Sequence, residues 1–129
     1  MRAEGIRGES LAEGYLKSKG YKIIGRNEKL MGIEVDLIAT APDGDVCFIE
    51  VKSRTTYSYG YALEAVTPAK IARYKRFINL YTQIHRLYDK TLRIDVIAIS
   101  GDDVEHIENV GVEHNRSSHA CAEVCRALC

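Results

Sequence analysis

Two runs, Ile33-Glu34-Val35-Asp36-Leu37-Ile38-Ala39 and Val46-Cys47-Phe48-Ile49-Glu50-Val51-Lys52, decide how this chain folds. Both have the β-branched, alternating character of strands, and Pro42-Asp43-Gly44 between them is a turn signal. A three-residue hairpin loop with Gly44 in the left-handed position pairs Ala41 with Asp45. Counting back along that register sets Asp36 opposite Glu50. Side chains on a strand alternate faces, so Glu50 and Lys52 point the same way, about 7 Å apart. Two carboxylates and an ammonium then share one patch of one sheet face. Burying such charges without compensation costs several kcal/mol each, and a divalent cation is the simplest compensation.

The rest of the chain supplies a frame for that hairpin. Residues from about Ile6 to Lys19 are expected to form a helix with Leu11, Ala12, Tyr15 and Leu16 as its apolar positions and Gly20 as its stop. Tyr21 to Arg26 is expected as a strand, followed by a polar turn. After Lys52 an irregular stretch, Ser53 to Val66, carries Tyr57, Tyr59 and Tyr61. Thr67-Pro68 is an N-cap followed by proline at the first helical position, opening a helix to about Tyr88. Leu92 to Ser100 is a further strand and Val104 to Glu108 a short last one. The order helix–strand–strand–strand–helix–strand implies an α/β fold, a mixed sheet with a helix on each side.

Bulk properties narrow the function classes. At 129 residues the chain suits one domain that buries roughly two-thirds of its unfolded surface. A hydrophobic content of 46% with 28% charged residues is ordinary for a soluble protein. The formal net charge is zero, so nucleic-acid binding would rest on local patches. No apolar run approaches the ~18 residues of a membrane span, and the N-terminus has no signal-peptide segment, so a cytoplasmic location is expected. Cys47 lies in a core strand while Cys121, Cys125 and Cys129 cluster at the end, which is not a disulfide framework.

The charged patch fits phosphodiester hydrolysis. A hard cation such as Mg²⁺ binds through one or two carboxylates and keeps several waters. Asp36 and Glu50 are the expected ligands, joined by the backbone carbonyl of Val51. Lys52 is placed to orient or activate the attacking water and to stabilise the developing charge. Glu9, on the same helical stripe as Ala12 and Leu16, is a third carboxylate turned toward the sheet, and Glu13 is a weaker candidate on that stripe. Glu34 is expected as a solvated strand residue and Asp95 as a structural hydrogen-bond or ion-pair partner. The second helix and its exit carry Lys70, Arg73, Lys75, Arg76, Arg86, Lys90 and Arg93, a candidate phosphate-contacting surface. Lys70 and Arg73 open that helix nearest the strand of Lys52.

Gly32 to Ala39, followed by Phe48-Ile49-Glu50-Val51-Lys52-Ser53-Arg54, resembles the metal-site hairpin of the PD-(D/E)XK nuclease superfamily. More closely, the chain is similar to the bacterial YraN-like family within it. Gly8-Glu9, Gly20-Tyr21, Arg26-Asn27, Lys70, Arg73, Arg93-Ile94-Asp95-Val96 and His106-Ile107 carry that likeness over residues from about 4 to 112. The resemblance implies a restriction-endonuclease-like fold with Asp36, Glu50 and Glu9 as the acidic site, Lys52 as the catalytic lysine, and Mg²⁺ or Mn²⁺ as the cofactor. Lys70, Arg73, Arg54 and Tyr57 would contact nucleic acid, with DNA as the expected partner. The similar layout of archaeal Holliday-junction resolvases adds branched DNA and a homodimer to the expectations. Two other classes remain open: a nucleic-acid-binding module without efficient catalysis, and a protein-interaction subunit. Residues 113–129, with His114, His119 and three cysteines, depart from the family pattern and are expected to be an appended, poorly packed tail whose spacing fits no closed zinc site.

Overall fold

The computed structural model describes residues 3–54 and 67–110. Helix α1 (Ala3–Ser18) leads into strands β1 (Lys22–Leu30), β2 (Ile33–Thr40) and β3 (Val46–Arg54); helix α2 (Pro68–His85) then precedes β4 (Leu92–Ser100) and β5 (Asp103–Ile107). The five strands form one sheet in the order β1-β2-β3-β4-β5. β1, β2 and β3 run as an antiparallel meander, β4 lies parallel to β3, and β5 returns antiparallel to β4. Among the described residues this is the mixed α/β sheet with two helices that the pattern of elements implied.

The turn chemistry fixes the register of the central hairpin. Gly44 takes φ +99°, Gly44 N donates to Ala41 O at 2.9 Å, and Ala41 N donates to Asp45 O at 2.8 Å. Pairs Thr40↔Val46, Ala39↔Cys47, Ile38↔Phe48 and Leu37↔Ile49 follow. Because the side-chain period is two, this register sends alternate residues to opposite faces. One face packs Ile38, Val46, Phe48, Leu92, Ile94 and Val96 under the Tyr74, Phe77, Ile78 and Tyr81 stripe of α2. The other packs Leu37, Ala39, Cys47, Ile49, Ile97 and Ile99 under Ala12 and Leu16 of α1. β4 is covered on both faces, which is why its sequence is a nearly unbroken apolar run.

Several boundaries differ from the sequence expectation: α1 begins at Ala3 rather than about Ile6, and β3 runs on through Ser53 to Arg54. β1 does not stop at Arg26 but continues through Asn27, Glu28 and Lys29 to Leu30. The chain reverses instead at Met31 and Gly32, with φ 54° and 74°, the left-handed pair that a two-residue hairpin turn requires. β1 lies at an edge of the sheet, so polar residues can face water without breaking the ladder. α2 ends at His85 rather than near Tyr88, because Arg86 adopts φ 58° and its N–H caps Thr82 O.

Arg93 and Asp95 interrupt the apolar run of β4, both on the α1 side. Asp95 is fully buried; Arg93 Nε lies 3.2 Å from its Oδ1, His106 Nε2 lies 2.8 Å from its Oδ2, and Asn109 N donates to Oδ1 at 3.0 Å. Arg93 also donates to Tyr21 Oη at 2.6 Å and pairs with Asp45 at 3.2 Å. Burial pushes the Tyr21 hydroxyl up to about 12, although the Arg93 charge acts to lower it. Arg93 is therefore a strut beneath α1, not part of a phosphate-contacting surface, and Asp95 has the structural role its sequence context implied. Removing one member of a buried ionic network leaves the others uncompensated. Asp95→Ala is expected to lower unfolding stability by about 3–5 kcal/mol, measured by urea denaturation followed by circular dichroism.

Candidate active site

The site forms where β2 and β3 part. In the antiparallel alternation set by Ala41 and Asp45, the hydrogen-bonded pairs are Ala41/Asp45, Ala39/Cys47 and Leu37/Ile49, so the Val51 amide would next go to the Val35 carbonyl. It goes instead to the Asp36 side chain, donating to Oδ2 at 2.8 Å. The ladder ends at Leu37↔Ile49, and one further step along the same register sets Asp36 opposite Glu50. The two carboxylates line one cavity, and the Glu50 charge acts on Asp36.

Glu50 is only 8% exposed. Its Oε1 accepts from the Tyr74 hydroxyl at 2.7 Å, and its Oε2 faces Lys70 Nζ at 3.2 Å and Lys52 Nζ at 3.8 Å. Lys70 and Tyr74 stand one helical turn apart on α2, so one helix face delivers both. The Thr67 cap sets that turn, since Thr67 Oγ1 accepts from Lys70 N at 3.1 Å. Burial, then the Glu50 charge, raises the Tyr74 hydroxyl far above the usual tyrosine range, so it stays a protonated donor to Glu50. Gly32, Ile33, Glu34, Asp36, Glu50, Lys70, Arg73 and Tyr74 line an open cavity of about 390 Å³.

Asp36 is differently placed. Burial raises its carboxyl to about 7 against the Val51 hydrogen bond, which acts to lower it; the charges of Glu50, Glu9 and Glu34 raise it further. Glu9 therefore lies near enough to act on Asp36 through its field, while its Oε1 accepts from Asn27 Nδ2 at 3.4 Å. Helix α1 comes close to the end of β3 at Gly8, where a Cβ would meet Ser53 Oγ at 2.9 Å. Among the described residues no three His, Cys, Asp or Glu side chains converge as a metal-binding group. Asp36 and Glu50 line the cavity together, and Glu9, which does not line it, acts on Asp36 through its charge. Two carboxylates suffice for a hard cation that keeps its waters, and an acid pushed up by burial and then by neighbours of its own sign is one whose charged form a cation would relieve.

The remaining candidates separate clearly. Glu13 is committed to Arg26, with Arg26 Nε at 2.7 Å from Oε2 and Nη2 at 3.1 Å from Oε1. Glu34 is exposed, as expected, but it borders the cavity. Arg73 lines the cavity, and Arg54 closes β3 beside Ser100 of β4. Tyr57, with Tyr59 and Tyr61, and the 113–129 tail lie outside the described residues. Tyr74 went unnoticed as a site residue because it fits the apolar stripe of α2. The available signal was a tyrosine four residues after Lys70, since a buried hydroxyl needs a polar partner.

The raised Asp36 acidity has a consequence for stability. A group whose folded value exceeds its unfolded one contributes stability that is complete below the unfolded value and lost as pH rises through the folded value. For Asp36 that window runs from the ordinary 3.8 to about 7. In chelator, Asp36→Asn is expected to melt higher than the unaltered protein at pH 8, with the difference vanishing below pH 4. Thermal melts across that range check this.

Among the described residues no helix is long and apolar enough to cross a membrane. The sequence profile described as "Uncharacterised protein family UPF0102" matches residues 8–99. A UPF0102 protein of Arthrobacter sp. (strain FB24) is 42% identical over 120 residues, spanning 86% of this chain and 100% of that protein. One from Leifsonia xyli subsp. xyli is 36% identical over 111 residues, 82% of this chain and 93% of its own. Another, from Pelobacter propionicus, is 39% identical over 114 residues, 84% and 81% of the two chains. The matched span contains Glu9, Asp36, Glu50, Lys52, Lys70 and Tyr74 together, and on these grounds the chain belongs to the UPF0102 family.

Proposed function

We propose that this protein is a metal-dependent nuclease of the PD-(D/E)XK type that hydrolyses phosphodiester bonds of DNA in the cytoplasm, with branched repair or recombination intermediates as the substrate class. The observation that carries this reading is that Asp36 and Glu50 line one cavity at the splayed end of β2 and β3, with Lys52 Nζ 3.8 Å from Glu50 Oε2. Asp36, Glu50 and the Val51 carbonyl would hold Mg²⁺ or Mn²⁺, and Glu9 would act on its hydration shell. When bound, the ion supplies a Lewis acid for the phosphate oxygens and a more acidic water. Lys52 orients the attacking water and offsets charge developing on the phosphate. Arg73 and Lys70 at the cavity wall, with Arg54 and Tyr57, would hold the nucleic-acid backbone and bases.

A second reading, a nucleic-acid-binding module that does not cut, is favoured by one feature: both Glu50 oxygens already have protein partners. The discriminating assay incubates the protein with a labelled four-way junction, a flap and a linear duplex in Mg²⁺, Mn²⁺ or EDTA. Metal-dependent product is expected, reduced at least about 100-fold by Asp36→Asn or by Lys52→Ala. Binding that persists in EDTA with no product in either metal would favour the second reading. Absence of both binding and product would favour a protein-interaction subunit.

A further inference from the structure

Glu50 offers a ligand its two oxygens unequally. Its Oε1 accepts from the buried Tyr74 hydroxyl at 2.7 Å, so Oε2, faced only by lysine side chains, is the oxygen a cation would take. That oxygen faces Lys70 Nζ at 3.2 Å and Lys52 Nζ at 3.8 Å. The two lysines are not equivalent. Lys52 rises from β3 two residues beyond Glu50, so its Cβ is held in the same sheet face. Lys70 reaches across from the first turn of α2, on a four-carbon arm whose side chain is 31% exposed and which borders the open cavity. It is the nearer of the two and the one that borders the cavity, while Lys52 is comparably exposed at 36%.

We propose that Lys70 is the resident counter-ion of Glu50 and competes with the divalent cation for Oε2. In the metal-free protein the ammonium, with the more distant Lys52 and the Tyr74 hydroxyl, compensates a nearly buried carboxylate. When a cation takes that oxygen, Lys70 swings toward the cavity mouth, beside Arg73, where a phosphate of the substrate would receive it. Metal binding and nucleic-acid binding are thereby coupled through one side chain, and such coupling is reciprocal. The inference rests on the metal-site reading above and adds what opposes metal entry before substrate arrives.

The test is Mn²⁺ affinity by isothermal titration calorimetry without nucleic acid, on the unaltered protein, Lys70→Met and Lys70→Gln, each also carrying Glu50→Gln. Circular dichroism melts establish that each variant is folded. Removing the competing charge is expected to tighten Mn²⁺ binding about three- to tenfold in both Lys70 variants, a solvent-screened fraction of a full ionic contact. That gain should vanish in the Glu50→Gln background. Folded Lys70 variants that bind Mn²⁺ no more tightly than the unaltered protein would overturn the inference, as would absence of binding to all of them at millimolar Mn²⁺. The two claims fail separately. Tighter binding by the variants of a protein that cuts no DNA supports the counter-ion and removes the nuclease; metal-dependent cleavage with unchanged Mn²⁺ affinity does the reverse.

Discussion

The Asp36 carboxylate accepts the Val51 amide at 2.8 Å, taking the position that a backbone carbonyl would hold in a continuing ladder. This substitution lets β2 and β3 separate at their open end without leaving the Val51 donor unsatisfied, and a buried amide left unpaired would cost about 1–3 kcal/mol. The cavity lined by Asp36, Glu50 and Lys70 opens at that separation. A side chain that ends the pairing of two strands therefore also sets one wall of the candidate site. Its burial, and after it the charges of Glu50, Glu9 and Glu34, is the electrostatic cost of that arrangement, seen in the carboxyl raised to about 7.

Two buried acids in the same sheet make the contrast plain. Asp95 is enclosed by Arg93, His106 and the Asn109 amide, on the α1 side and at the end of β4 that pairs with the start of β3. Its charge is compensated within the fold, so it ties β4 to β5 and the chain that follows, and asks for no ligand. Asp36 receives one backbone donor among the described residues and stands among charges of its own sign. Glu50 lies between these cases, compensated by lysines that are long, partly exposed and able to leave. Compensation by fixed partners marks structure; compensation by withdrawable partners, or its absence, marks a place where something else can bind.

Much of this was legible in the sequence where local rules and the global fold agree. Pro42-Asp43-Gly44 fixed a hairpin register, and that register, continued one step past its last pair, pointed to Asp36 and Glu50 as neighbours. Thr67-Pro68 marked the start of α2 to the residue. The extension of β1 was hidden because an edge strand tolerates Asn27, Glu28 and Lys29 as readily as a turn does. Arg93 resembled a surface charge because its partners Tyr21, Asp45 and Asp95 come from three separate stretches of chain. Tyr74 was hidden for the opposite reason: its ring satisfies the helical stripe, and only its hydroxyl belongs to the site.

The most direct test of the account is a crystal structure with Mn²⁺ and its anomalous difference map. An anomalous peak within coordination distance of an Asp36 carboxylate oxygen and Glu50 Oε2, with Lys70 moved off Glu50, is the predicted result. A peak elsewhere on the molecule, or an Asp36–Glu50 pair that stays empty at saturating Mn²⁺ with the Lys70 contact intact, would contradict it.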